Sequence, residues 1–356
     1  MVDERIIEVA KLLVDYSTET KKGDRVLIRT DVLAKDLALE VYKYALSRGA
    51  HPWIRTDLPG ARYVFYKYAS DKQLGFFPEH ELAEIKNTDV YIYLDAPFNV
   101  KELVSIDPTR MGARLKIVKP ITDWRVEKTR WVLFVYPTEA LAQEAEMSLP
   151  EFEDFVFNSC LIDWKEASKK LRILKQNVDA ADKVEIVGPD TNLKFSIKGR
   201  NSIVADGKIN MPDGELFTSV VEETVKGNIR FDVPAVWLGN VVEDITLTFE
   251  RGKVIDAKAA KNPAFLEKMI KTDEGSKRIG EFGIGVNYGI TKPVKDILFD
   301  EKIGGTVHFA LGRGYKESLS KNDSGIHWDM IKDLRKDGEI YFDGKLVMKN
   351  GRWLSI

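Results

Sequence analysis

Histidine is scarce in this 356-residue chain: His51, His80, His308 and His327 are the only four. His80 opens His80-Glu81-Leu82-Ala83-Glu84, which lacks the second histidine of a zinc-protease helix and reads as an exposed helical residue. His51 follows Gly49-Ala50 at the start of a strand and has no partner signal. His308 is different. In the segment from Gly304 to Gly312, strand alternation puts Val307, Phe309 and Leu311 on one face and Thr306, His308 and Ala310 on the other. The imidazole then stands between two small residues, with room above the ring. His327 follows the same pattern, because Ile326, Trp328 and Met330 alternate with His327 and Asp329. On a strand this imidazole and carboxylate share a face, about 7 Å apart; on a helix they diverge. The reading here is extended backbone through Asp329 and a helix after it, opened by Met330, Ile331 and Leu334.

Two glutamates complete the set. Glu281 has a glycine on either side, Gly280 and Gly283, so backbone can approach closely and the carboxylate stays uncovered. Glu215 follows the turn Met211-Pro212-Asp213-Gly214. Taken singly, each residue has a structural reading: an edge-strand or hairpin glutamate, a core histidine. Together, two Glu, two His and one Asp suit two divalent cations. Imidazoles favour Zn, Co or Mn, and carboxylates favour harder ions. Two such ions about 3.5–4 Å apart activate a water and polarise a carbonyl. The single cysteine, Cys160, lies in an apolar run and reads as a small buried hydrophobe. Gly283, Gly285 and Gly289 lack the strand-turn-helix setting of a dinucleotide fingerprint.

The elements that must position these residues fall into two halves. In the first, strand-like runs at 25–28, 52–55, 90–94, 115–118 and 131–136 are separated by helical segments such as 34–46. Alternation of this kind predicts an α/β domain with a mostly parallel sheet. A helix is expected from about 164 to 181, with Leu171, Leu174 and Val178 on one face, and the domain boundary just after it. The domains are therefore 1–182 and 183–356. The second half holds Asp206-Gly207, Asp213-Gly214, Asp343-Gly344 and Asn350-Gly351, whereas no such pair precedes residue 200. These pairs favour tight hairpins. The second domain is thus a β-rich α+β unit carrying the metal site, with one helix at about 263–271.

Several phrases together resemble the aminopeptidase T family, the thermophilic metallo-aminopeptidases. They are Pro212-Asp213-Gly214-Glu215-Leu216-Phe217, Gly280-Glu281-Phe282-Gly283-Ile284-Gly285, Asp300-Glu301-Lys302, Gly305-Thr306-Val307-His308-Phe309-Ala310-Leu311-Gly312 with Tyr315, and Ser324-Gly325-Ile326-His327-Trp328-Asp329. Val220 stands where the family usually has proline. The resemblance implies an enzyme that removes N-terminal residues from peptides with two cocatalytic divalent metal ions, Zn, Co or Mn. By motif, the ligands are Glu215, Glu281, His308, His327 and Asp329. Tyr315 is expected to contact metal or to hydrogen-bond the developing oxyanion. Glu281 is the first candidate to bridge the metals and shuttle the proton; Glu301 is a further candidate, with a supporting or salt-bridged role as its alternative. The family also implies a homodimer.

Composition narrows the field further. The formal charge is -2 and no basic stripe is evident, so nucleic acid is not an expected partner. No stretch of 18 apolar residues exists, so no membrane span is expected. The opening Met1-Val2-Asp3-Glu4-Arg5 does not read as a secretory signal, which leads to an expectation of a cytoplasmic protein. Many Lys and Glu and one Cys fit a heat-adapted surface. Two other readings use the same sequence. One is a different dinuclear hydrolase, an amidase or phosphoesterase. The other is a binding module built on the strand-end crevice of the first domain.

Overall fold

The computed structural model describes residues 3–237 and 239–354; Met1 and Val2 of the acidic opening lie outside them. The chain divides into two compact units, Met1–Leu161 with Gly207–Pro212, and Ile162–Asp206 with Asp213–Ile356. Among the described residues no helix is long and apolar enough to cross a membrane.

The first unit is built on a five-stranded parallel sheet. Its strands run in the order His51–Asp57, Arg25–Asp31, Val90–Asp95, Arg130–Val135, Asn210–Met211. Parallel neighbours need long crossovers, which here are helices such as Lys35–Ser47 and Glu79–Lys86. Val26, Ile28, Ile92, Leu94, Val132 and Phe134 are completely buried in the strands, as expected of a sheet covered on both faces. One expected strand is absent. Residues 115–118 lie inside the helix Pro108–Lys128, whose start is set by Pro108 in its first turn and by the Asp107 carboxylate accepting the Thr109 amide. Ile121 and Trp124, spaced for a helix, pack against the cluster of Leu27, Ile85 and Tyr91.

The second unit carries an eight-stranded sheet and a five-stranded antiparallel sheet. The five-stranded one is ordered His327–Asp333, Thr306–Gly312, Ile279–Gly285, Glu215–Thr218, Ile203–Ala205. One hydrophobic core joins the two sheets. In it Phe195 of the larger sheet meets Phe282 and Phe309 of the smaller, with ring centres 5.0 and 5.5 Å apart. At Asp343-Gly344 both residues have positive φ, 50° and 82°, and the turn joins Glu339–Phe342 to Lys345–Lys349.

Two boundaries differ from the sequence reading. The helix Trp164–Ala180 is part of the second unit, one helix earlier than the expected division at 182. The reason is its apolar face: Leu171, Leu174 and Val178 lie in the core of that unit. In the other direction, Asn210 and Met211 pair with Leu133 and Phe134 and so belong to the first unit. The helix expected after Asp329 does not form. The strand runs on to Asp333, since Ile331, Lys332 and Asp333 pair with His308, Val307 and Thr306. Ladder pairing and burial of Met330 outweigh a short helical pattern there.

Candidate metal centre

One face of the five-stranded sheet feeds the core, and the other gathers the polar residues singled out above. Leu216, Phe282, Ile284, Val307, Phe309, Leu311, Trp328 and Met330 all enter the core. By alternation, Glu215, Glu281, His308, His327 and Asp329 face the opposite way. The register aligns them. Ala310 lies between Glu281 and Asp329, Gly283 is opposite His308, and Gly312 is opposite His327. A bulge between Ile279 and Glu281 re-aims the glutamate.

Small residues make the crowding possible. A Cβ at Gly283 would fall 1.9 Å from His308 Nε2, so only glycine lets the ring lie across the neighbouring strand. A Cβ at Gly285 would fall 2.2 Å from the Ile303 carbonyl oxygen, so this glycine admits the segment that carries Glu301. That segment is pinned from both sides. The Asp300 carboxylate accepts the Val294 and Lys295 amides, and the Lys302 carbonyl accepts the Asn287 amide.

Two groups of potential ligands result, each with its donor atoms within 4.8 Å of one another. The first is Glu215, Glu301 and His308; the second is Glu281, His327 and Asp329. His308 Nε2 lies 3.4 Å from Glu215 Oε2 and 3.3 Å from Glu281 Oε1, so Glu281 stands between the groups. His327 Nε2 is 3.4 Å from Asp329 Oδ2 and 3.9 Å from Glu281 Oε2. The Arg313 carbonyl accepts from His327 Nδ1 at 2.5 Å. That bond orients the ring and turns Nε2 toward Asp329 and Glu281. Among the described residues, Glu215 Oε2, Glu281 Oε2, Asp329 Oδ1 and His308 Nδ1 are buried without a hydrogen-bond partner. Buried carboxylate oxygens left in this way are costly unless a cation meets them. Three-ligand sets of carboxylate and imidazole are suited to catalytic cations with an open position. The residues therefore fit divalent metal.

Protonation follows from the crowding. Burial is the largest influence on Glu215 and pushes its carboxyl up to about 8, while Lys302 pulls the other way. Burial also raises Glu281, against the hydrogen bond with His308. Burial opposes charge on His308, but Glu281 and Glu215 overcome it and raise its pKa to about 9. Likewise Asp329 and Glu281 lift His327 to about 10 against burial. A cluster that holds extra protons so firmly when metal-free offers the same attraction to cations.

Every expected ligand is thus brought to one place. Glu301, a further candidate to bridge the metals and shuttle the proton, with a supporting or salt-bridged role as its alternative, stands within one of the groups. Tyr315 is close by: its ring centre is 5.1 Å from that of His327 and 5.5 Å from that of Phe217. It is 45% exposed, and burial of the rest together with Glu281 and Asp329 raises its pKa, so the hydroxyl stays a donor. Sequence reasoning gave Lys302 no role. It is completely buried, 3.4 Å from Glu215 Oε1 and in contact with the Glu301 carboxylate. Burial works against its charge, but Glu215, Glu301 and Asp213 keep the ammonium protonated. The only signal was a cation within the phrase Asp300-Glu301-Lys302. His51 and His80 are exposed and stand in the first unit, and Cys160 is buried in the helix Leu149–Cys160.

The chain is similar to several known proteins. The chain is 24% identical over 413 residues to Aminopeptidase 2 of Geobacillus stearothermophilus, covering 99% of this chain and 98% of that protein. It is 26% identical over 411 residues to Aminopeptidase AmpS of Bacillus subtilis, with 98% of each chain covered. Among solved structures, AmpT from Thermus thermophilus superposes with a TM-score of 0.86 at 21% identity, covering 99% of both chains. A 2,5-dihydroxypyridine dioxygenase from Pseudomonas putida shares the fold at a TM-score of 0.67 and 12% identity, over 100% of this chain and 99% of that one. The profile of the family described as thermophilic metalloprotease (M29) matches residues 2–353, and the chain belongs to that family.

Proposed function

We propose that this protein is a metal-dependent aminopeptidase that holds two divalent cations, one at Glu215, Glu301 and His308 and the other at Glu281, His327 and Asp329. The observation that carries this reading is the pair of adjacent ligand groups with buried, unpartnered carboxylate oxygens. The aminopeptidase names of its relatives support the substrate class. When bound, Zn, Co or Mn ions supply Lewis acidity, activating water near neutral pH and polarising the scissile carbonyl.

The protein's own groups do the rest. Glu281, between the two groups, is placed to take a proton from the attacking water and pass it to the leaving amine. Tyr315, a protonated donor at the edge of the cluster, hydrogen-bonds the oxyanion as it develops. Arg313 holds His327 in one orientation through its carbonyl. Lys302 fixes Glu215 and Glu301 and offsets part of their charge. A homodimer and a cytoplasmic location belong to the same reading, and sedimentation velocity tests the first.

The direct test is turnover of leucine p-nitroanilide. Activity should vanish on chelation and return with Zn, Co or Mn. N-Acetyl-leucine p-nitroanilide and p-nitrophenyl phosphate should both resist. Equal turnover of blocked and free amines would indicate an amidase or endopeptidase, and phosphate release would indicate a phosphoesterase.

A further inference from the structure

The first unit contains a cavity whose lining includes none of the expected metal ligands. Its volume is about 580 Å³, within the range of small-molecule sites. Its floor includes a row in register across four parallel strands: Arg55, Arg29, Tyr93 and Leu133. Each lies in the carboxyl-terminal half of its strand. The chain steps from Arg25–Asp31 out to His51–Asp57, then returns to the other side of the first strand as Val90–Asp95. Leu27 and Tyr91, in the amino-terminal halves of two of these strands, line it as well, so the cavity lies over the face of the sheet, walled by the helices Ala61–Tyr68, Glu79–Lys86 and Pro108–Lys128.

Five arginines and two glutamates line this cavity. Arg29 is paired with Asp57 at 2.7 Å, and Arg55 with Glu84 at 2.8 Å and Glu81 at 3.4 Å. Both lining glutamates are therefore taken. Arg125 has no carboxylate partner among the described residues; burial presses hardest against its charge, Tyr91 works the other way, and the nearby Arg29 adds to the burial. Its guanidinium lies against rings, 4.4 Å from the Trp131 centre and 5.3 Å from that of Tyr91. Arg114 bonds to the Leu74 and Phe76 carbonyls and covers Phe65 at 5.4 Å. Arg29 and Arg55 stand side by side across the sheet, an arrangement of like charges that costs stability. Surplus positive charge thus faces an aromatic-walled space.

We propose that this cavity binds a small organic anion with a flat apolar body, a carboxylate joined to an aromatic ring. Arg125 takes the carboxylate through its planar fork of donors. Tyr91, Tyr93 and Phe65 take the body. A nucleotide phosphate is disfavoured, because the strand ends at Asp31 without a glycine-rich loop and the Asp31 carboxylate itself accepts the Ala96 amide.

The test is fluorine NMR of 4-fluorophenylacetate titrated with the full-length protein, with and without chelator. The chelator arm separates this cavity from carboxylate binding at a metal. Broadening should persist with chelator. Affinity should fall at least about tenfold in Arg125→Met and in Arg125→Gln, the loss expected for a charged hydrogen-bonded pair. Leucine p-nitroanilide turnover and far-UV circular dichroism should stay unchanged in both variants. If Arg125→Met does not fold, Arg125→Gln, which keeps polarity and much of the length, decides. 4-Fluorobenzyl alcohol should not bind, and equimolar inorganic phosphate should not displace the probe. No broadening, loss of it on chelation, unchanged affinity in the folded variants, equal binding of the alcohol, or displacement by phosphate would each overturn the proposal.

Discussion

Glu281 has the most to do of any single side chain. It sits within 3.3 Å of His308 on one side and 3.9 Å of His327 on the other, buried and with one oxygen unpartnered. Glu281→Gln removes charge while keeping shape. The expected result is a fall in kcat/KM of at least about 10²-fold, from lost metal geometry or lost proton transfer. Kinetics on leucine p-nitroanilide measure it, and a variant with near-native turnover would take Glu281 out of the mechanism. At this scale, much of the site was legible before any fold was known. His308 and His327 could be singled out because each alternates with an apolar stripe, a pattern that survives in one dimension. Lys302 could not, because a buried lysine looks like any surface lysine until the carboxylates around it are placed.

Among the elements, the strand Ile279–Gly285 has the tightest demands. It carries Glu281, and at Gly283 it must leave space for an imidazole from the next strand. Gly283→Ala puts a methyl group on the His308 ring. Ring displacement of about 1 Å can cost about 10² in rate, so activity should drop by that order while far-UV circular dichroism stays native. Retained kcat/KM would show that the ring is not held where the structure has it. Strands flanked by turn pairs, such as those around Asp343-Gly344, could be read from sequence because the turn chemistry is local. The segment 115–118 could not, since four apolar-rich residues satisfy a strand pattern as easily as one turn of a helix. The end of the His327 strand is hidden in the sequence for the opposite reason: its partner strand Thr306–Gly312, not local preference, decides its length. The helix Trp164–Ala180 showed its apolar face in the sequence, but not which core that face would join.

For the whole molecule, metal and fold should be linked but separable. The second unit has a core of its own, from Leu171 to Met348, so chelation should leave far-UV circular dichroism near native at room temperature while abolishing activity. The linkage should appear in melting and depend on pH. His308 and His327 have folded pKa values of about 9 and about 10, above the ordinary 6.5. Their contribution to metal-free stability is complete below about pH 6.5 and is lost as pH rises through those values. Glu215, raised to about 8 from 4.5, acts in the same direction, its contribution fading as pH rises through 8. Cations need deprotonated ligands and bind more tightly as pH rises. The gap in Tm between metal-loaded and metal-free protein should therefore widen from pH 6 to pH 9. A gap that narrows over this range would mean that the cluster does not exchange protons for metal.

Six residues in two groups should hold a pair of cations. Titration of metal-free protein with Zn or Co, read by calorimetry and by elemental analysis after gel filtration, counts them directly. The expected result is two equivalents per chain, and fewer than two retained when His308→Ala removes a ligand from the first group. A single equivalent in the native protein, or two retained unchanged in that variant, would contradict it.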